Sequence, residues 1–182
     1  MARFLTEMKF WKKVAGETVG AEIAEAAIVL PLVFMLLLGI YWFGRAYNIY
    51  ATITHAAREG ARAATAPTAA LLGNTALTEA QVATRVRDAL QASKLDPAQV
   101  TPLQPNPVLK DCQTGAPVIP ACAASPAICF VPNVRLNDPT TGPAACGVSV
   151  SFQYPYQFYL PFTSLNGQLI QLKADVQTTG ED

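Results

Sequence analysis

A charge-free apolar block, Ala26 to Phe43, constrains this chain more than any other feature; it reads AAIVLPLVFMLLLGIYWF. Roughly 18 residues of helix rise about 27 Å, nearly the depth of a hydrocarbon core of about 30 Å. Glu22 and Glu25 bound the block on one side and Arg45 on the other. It is apolar all round rather than along one stripe, which argues against the core helix of a soluble protein. A cleaved secretory signal is the other alternative. Its apolar region usually spans about 7–15 residues and directly follows the basic residues. Here two carboxylates intervene, and the run continues into a helical pattern.

Arg3, Lys9, Lys12 and Lys13 precede the block, and no basic residue follows Arg45 until Arg58. The positive-inside bias therefore keeps the N-terminus cytoplasmic and exports the rest. Tyr41, Trp42, Phe43, Tyr47 and Tyr50 gather at the far end, where amphipathic rings prefer the headgroup layer.

From Glu22 to about Ala64 only Pro31 interrupts the helical pattern, and it is expected to bend the rod. Past Arg45 the segment turns amphipathic. Ala46, Ile49, Ile53, Ala57, Gly60 and Ala64 recur at three- and four-residue steps, while Asn48, Thr52, Glu59 and Arg62 lie elsewhere. Pro67 marks an end, and Ala66 to Thr75 reads as a loop. Thr78 and Gln81 form the signature of a capped helix start, with Val82, Val86, Leu90 and Ala89 as its apolar stripe through about Ser93. Beyond Leu95 prolines accumulate and β-rich runs appear at Ile128–Leu136, Gly147–Leu160 and Gln168–Thr178. Asn166-Gly167 is a tight-turn dipeptide ahead of the last run. The expected fold is α+β: a long N-terminal transmembrane helix continuing into an amphipathic helix, a second short helix, and an antiparallel sheet of about three or four strands packed on the amphipathic half. The corresponding domains are a cytoplasmic leader over 1–20, a transmembrane helix over 21–45, an extracytoplasmic helical region over 46–95 and a disulfide-bonded β-rich domain over 96–182.

All four cysteines, Cys112, Cys122, Cys129 and Cys146, fall in the distal half. An even count in the exported part suits two disulfides in an oxidising periplasm. Three pairings are possible, of which sequence order favours Cys112–Cys122 with Cys129–Cys146. Zinc is the rival reading, but no short C-x₂₋₄-C pair occurs and the single histidine, His55, is remote in sequence.

The residue inventory speaks against catalysis. His55 sits in an alanine-rich helix with Arg58, Glu59 and Arg62 at helical spacing, the pattern of a polar stripe with Glu59–Arg62 pairing. No phosphate-cradling glycine motif is present. The formal charge is zero, from 13 basic and 13 acidic residues, without the surplus a nucleic-acid binder needs. No cofactor, metal or small-molecule substrate is expected.

Glu25, just ahead of the apolar block, is an expensive carboxylate of the kind kept for a partner charge. The run GAEIAEAAIVLPLVFMLLLGIYWFGR over Gly20–Arg45, followed by AAREGAR over Ala56–Arg62, resembles the TadE-like family of pseudopilins in tight-adherence (Flp) pilus systems. The resemblance implies a basic leader removed by a prepilin peptidase after Gly20, leaving Ala21 as the new N-terminus and Glu25 as the fifth residue. It also implies that Glu25 pairs with the free amine of a neighbouring subunit. The mature product would carry 9 basic and 11 acidic residues, net −2. The implied function is that of a minor pilin: a structural subunit in the inner membrane, partnered by lipid, other pilin-like subunits and the pilus assembly machinery, and possessing an outward-facing domain that caps or adheres. The alternative is a permanently anchored periplasmic binding or scaffold protein with a pilin-like stem.

Overall fold

The computed structural model describes residues 18–65, 77–123, 126–137, 142–158 and 169–179. Most of the basic leader, the loop over Ala66–Thr75 and the Asn166-Gly167 turn lie outside the described residues. The chain divides into two units between Gly44 and Arg45.

Helix α1 runs Thr18–Thr65 and continues through Pro31. Its alanine, leucine and methionine content favours helix, and the first unit holds the apolar block. The second half, from Arg45, belongs to the other unit and buries Ile53, Ala56, Ala57, Gly60 and Ala61, while Asn48, Glu59 and Arg62 face outward. The three- and four-residue steps thus mark the packed stripe, which is wider than the sequence reading by Ala56 and Ala61.

Helix α2, Glu79–Ala92, starts where Thr78 and Gln81 predict it. Gln81 Oε1 accepts from the Thr78 backbone N–H at 2.9 Å, satisfying a donor that the helix start leaves open. Val82, Ala83, Val86 and Leu90 are its buried stripe. At the other end Lys94 adopts a left-handed φ of 60°, the Leu95 N–H reaches Leu90 O at 3.0 Å, and the Lys94 N–H reaches Gln91 O at 2.9 Å. This is a Schellman stop with lysine where glycine usually stands. A single 3₁₀ turn, Pro97–Gln99, follows, with Asp96 Oδ1 accepting from the Ala98 N–H at 3.0 Å.

Short strands β1 (Leu109–Lys110) and β2 (Pro117–Val118) pair with each other. Strands β3 (Ala121–Cys122), β4 (Cys129–Arg135), β5 (Cys146–Gln157) and β6 (Leu169–Thr179) form an antiparallel sheet in that order. One sheet face carries Phe130, Val148, Val150, Phe152, Tyr154 and Ala174 into a core shared with Ile53, Ala57, Val82, Val86 and Leu90. The sheet therefore packs on the amphipathic half of α1, as its periodicity predicts. Side chains such as Phe152, Ile53 and Leu90, completely out of water, contribute about 1.5–3 kcal/mol each by burial.

The reverse face is not open either. Leu109, Val131 and Val134 form a second, smaller cluster there, and Ser149, Ser151 and Gln153 of β5 are buried. Pro132 and Asn133 (φ 55°) sit where the β4–β5 register shifts between Val131 and Val134. A proline inside a sheet is accommodated at such a bulge because it has no N–H to lose from the ladder.

The bulge explains a correction to the cysteine pairing. Sequence order favours Cys112–Cys122 and Cys129–Cys146; the structure joins Cys112 to Cys146 and Cys122 to Cys129. Cys122 and Cys129 stand opposite each other in the β3–β4 ladder, with Cα atoms 3.9 Å apart. The Cys112 N–H donates to the Asn133 carbonyl at 2.8 Å, and Arg135, two residues on, is registered against Cys146. That brings the Cys112 and Cys146 Cα atoms to 5.5 Å. Strand register, which loop length does not reveal, decides the pairing.

Candidate functional site: the apolar stem

Gly20, Ala21, Glu22 and Glu25 all lie on the opening turns of α1. Gly20 and both glutamates are exposed, and among the described residues no side chain pairs with either carboxylate. One helical turn separates Glu22 from Glu25. Past Glu25 comes the charge-free run.

That run has no covered side. Val33, Phe34, Met35, Leu36 and Leu37 occupy more than one complete turn, and each is at least 44% exposed. Ile28, Leu32, Ile40 and Phe43 are similarly open. Helix 22–65 is long and apolar enough to cross a membrane. So large an apolar surface, at about 25 cal/mol per Å², is unsustainable in water and demands lipid or other apolar stems. Ala26 and Ala27 are small and exposed, and the space beside Gly39 is empty. Backbones of neighbouring helices approach most closely at such positions. Tyr41 and Trp42 stack edge to face at 5.3 Å near the end of the run.

The other residues singled out from sequence do not converge on this stem. His55 is exposed, with Nε2 4.0 Å from Glu59 Oε1, so Glu59 approaches the histidine one turn back; pairing of Glu59 with Arg62 is not made among the described residues. The four cysteines are all consumed by disulfides, which leaves no thiolate for zinc. Among the described residues no group of three or more acidic, cysteine or histidine side chains is arranged to hold a metal ion.

Three titratable groups of the head are shifted, each for a structural reason. The Thr114 N–H and hydroxyl, at 2.7 and 2.8 Å, hold the Asp111 carboxyl below its usual value, helped by Gln113 and Asn133. Burial pushes Asp175 up, partly offset by the Ser149 hydroxyl donating to Oδ1 at 3.4 Å. Burial also raises Tyr154. Asp175 is registered with Ser151 on the reverse face of the sheet, whereas Tyr154 is on the helix-packed face. They do not form an acid–base pair. The sequence reading also missed a cleft on the head, lined by Arg45 and Lys94 among others. These residues are far apart in sequence, and only the fold brings them together.

Residues 20–62 match the family model described as TadE-like protein. The matched segment covers the carboxylates, the apolar run and most of the packed half of α1, and stops before the sheet. No curated protein and no solved structure matches the chain.

Proposed function

We propose, from the TadE-like stem as premise, that this chain is a minor pilin or pseudopilin of a tight-adherence (Flp) pilus. The carrying observation is Glu25, an exposed carboxylate without a partner among the described residues, set directly before a helix that is apolar on every side. In a low-dielectric layer a lone carboxylate is costly, and an opposite charge compensates it only by close approach. Cleavage between Gly20 and Ala21 by a prepilin peptidase creates the required cation, an ammonium on the N-terminus of each subunit. The amine of one subunit then meets Glu25 of its neighbour, and the stems pack through Ala26, Ala27 and Gly39.

In this reading the N-terminus starts in the cytoplasm, the stem spans the inner membrane, and the disulfide-bonded head faces the periplasm, which supplies the oxidising conditions its two cystines require. The head is a passive module that caps or adheres, and catalysis plays no part. The test is Glu25→Ala in a piliated host. Membrane insertion should persist, since the substitution makes the helix more apolar, while incorporation of the subunit into pili is lost. Normal incorporation of the Glu25→Ala chain would remove the pairing role.

A further inference from the structure

Strand β6 ends the sheet: β5 pairs with it along all 11 residues from Leu169 to Thr179, and among the described residues nothing pairs with its other edge. Which backbone groups point out over that edge follows from β5. The Gln153 N–H donates to the Thr101 carbonyl at 2.9 Å, and the Gln153 carbonyl accepts from the Thr101 N–H at 3.0 Å, on the side away from β6. Neighbours alternate in an antiparallel ladder, so Phe152 and Tyr154 bond toward β6, to Ala174 and Leu172. Lys173, registered with Gln153, therefore turns its N–H and carbonyl outward, as do Gln171, Asp175 and Gln177 along the unbroken register. A long edge of open donors and acceptors is a template for another strand.

The order of side chains says which strand fits. Ala174 is the midpoint, 5 residues from either end. Reversed about that point, the strand meets itself with Lys173 opposite Asp175, Gln171 opposite Gln177 and Leu172 opposite Val176. Outward-facing backbone groups then face one another, and the whole strand is used. The axis falls on a pair without hydrogen bonds, where Cα atoms approach to about 4.5 Å and alanine is small enough to fit. A slide of two residues either way sets Lys173 against itself or Asp175 against itself, which like charge disfavours. Backbone pattern, length and charge select the same register. Leu172 and Val176, only partly buried at the rim of the core, cover each other across the axis. On the reverse face Asp175 lacks a cation: burial raises its pKa, the Ser149 hydroxyl offsets that only in part, and among the described residues no basic side chain pairs with it.

We propose that β6 is the docking edge for a second copy of this chain, whose own β6 adds antiparallel to it about a two-fold axis at Ala174 and joins the two sheets into one. The inference concerns the head by itself and needs neither cleavage after Gly20 nor entry into a pilus.

The full chain in detergent, where no bilayer fixes the direction of either stem, tests it. Ordinary and heavy-nitrogen-labelled chains are mixed in equal parts and treated with a zero-length carbodiimide, which joins a lysine to a carboxylate in contact with it. Peptide mapping should find Lys173 of one isotope joined to Asp175 of the other. Lys173→Asp and Asp175→Lys each place like charges across the axis and should weaken dimerisation about ten-fold in sedimentation equilibrium. The double exchange Lys173→Asp/Asp175→Lys should restore it to within about two-fold. Association through the apolar stems would be blind to these exchanges. Both positions are exposed, and near-ultraviolet circular dichroism checks that the variants fold. In the unsubstituted chain, amide exchange at Gln171, Lys173, Asp175 and Gln177 should slow as concentration rises, while Leu172 and Ala174 stay protected throughout. Failure of the double exchange to restore dimers would overturn the proposal, as would free exchange of those four amides at every concentration. Their protection at every concentration would mean that the chain covers its own edge, and would overturn it equally.

Discussion

Gly60 of α1 lies so close to Val86 of α2 that a methyl group added to the glycine would run into Val86 Cγ2. Val82 Cγ1 and Val150 Cγ1 wait just behind, at 3.6 and 3.9 Å from the same point. This contact lets the two helices and β5 share one core. Val86 is completely buried and its branched side chain has little rotamer freedom in a helix. Gly60→Ala gains about 0.5–1 kcal/mol of helix propensity but overpacks the site at about 1–3 kcal/mol. A net destabilisation of about 1 kcal/mol is expected, and Gly60→Leu should be considerably worse. Urea unfolding of the detergent-solubilised chain, followed by near-ultraviolet circular dichroism, measures both.

The disulfides should differ in weight. Cys112–Cys146 closes a separation of 34 residues and Cys122–Cys129 one of 7. Loop-closure entropy gives about 4 kcal/mol for the longer and about 2.5 kcal/mol for the shorter. The Cys112→Ala/Cys146→Ala double variant should therefore lose more stability than Cys122→Ala/Cys129→Ala. Non-reducing peptide mapping checks the connectivity directly, and a Cys112–Cys122 peptide would refute it.

Asp175 and Asp111 should give opposite pH signatures. Burial raises the folded-state pKa of Asp175 above its ordinary 3.8, so the native state holds this proton more tightly than the unfolded chain. Its stabilisation is complete below about pH 3.8 and is lost as pH rises through the folded pKa. Asp175→Asn should therefore be more stable than the parent at pH 7, with the difference vanishing in acid. Asp111 is held low, chiefly by Thr114, so its contribution exists above 3.8 and disappears as pH falls through the folded pKa. Asp111→Ala should weaken the head at pH 7 and matter little at pH 2. Denaturation midpoints of the three proteins at both pH values decide the signs.

Much of this architecture is legible because it rests on period and local chemistry. The apolar run, the Ile53–Ala57–Gly60 stripe, the Thr78–Gln81 start and the two-residue alternation of β6 are each written in adjacent residues. What stays hidden depends on register. Strands β1, β2 and β3 are two residues long and carry no period to detect. Ser149, Ser151 and Gln153 are polar residues at alternate positions of β5 and nothing local marks them as buried, yet the fold covers both sides of that strand. The cystine pairs follow from a bulge at Pro132–Asn133, and the cleft joins Arg45 to Lys94 across two helices. Of the stem residues, Glu25 stands out by charge placement ahead of the apolar run, whereas Gly20 and Ala21 carry no local signal and are marked only by the resemblance of the run to the TadE-like family.

The most direct measurement of the central claim is the intact mass of the membrane-extracted chain, with its N-terminal peptide sequenced. An assembling stem that is processed as proposed begins at Ala21, having lost residues 1–20, and presents a free amine to a neighbouring Glu25. A chain that retains Met1 while pili are being made would contradict the account.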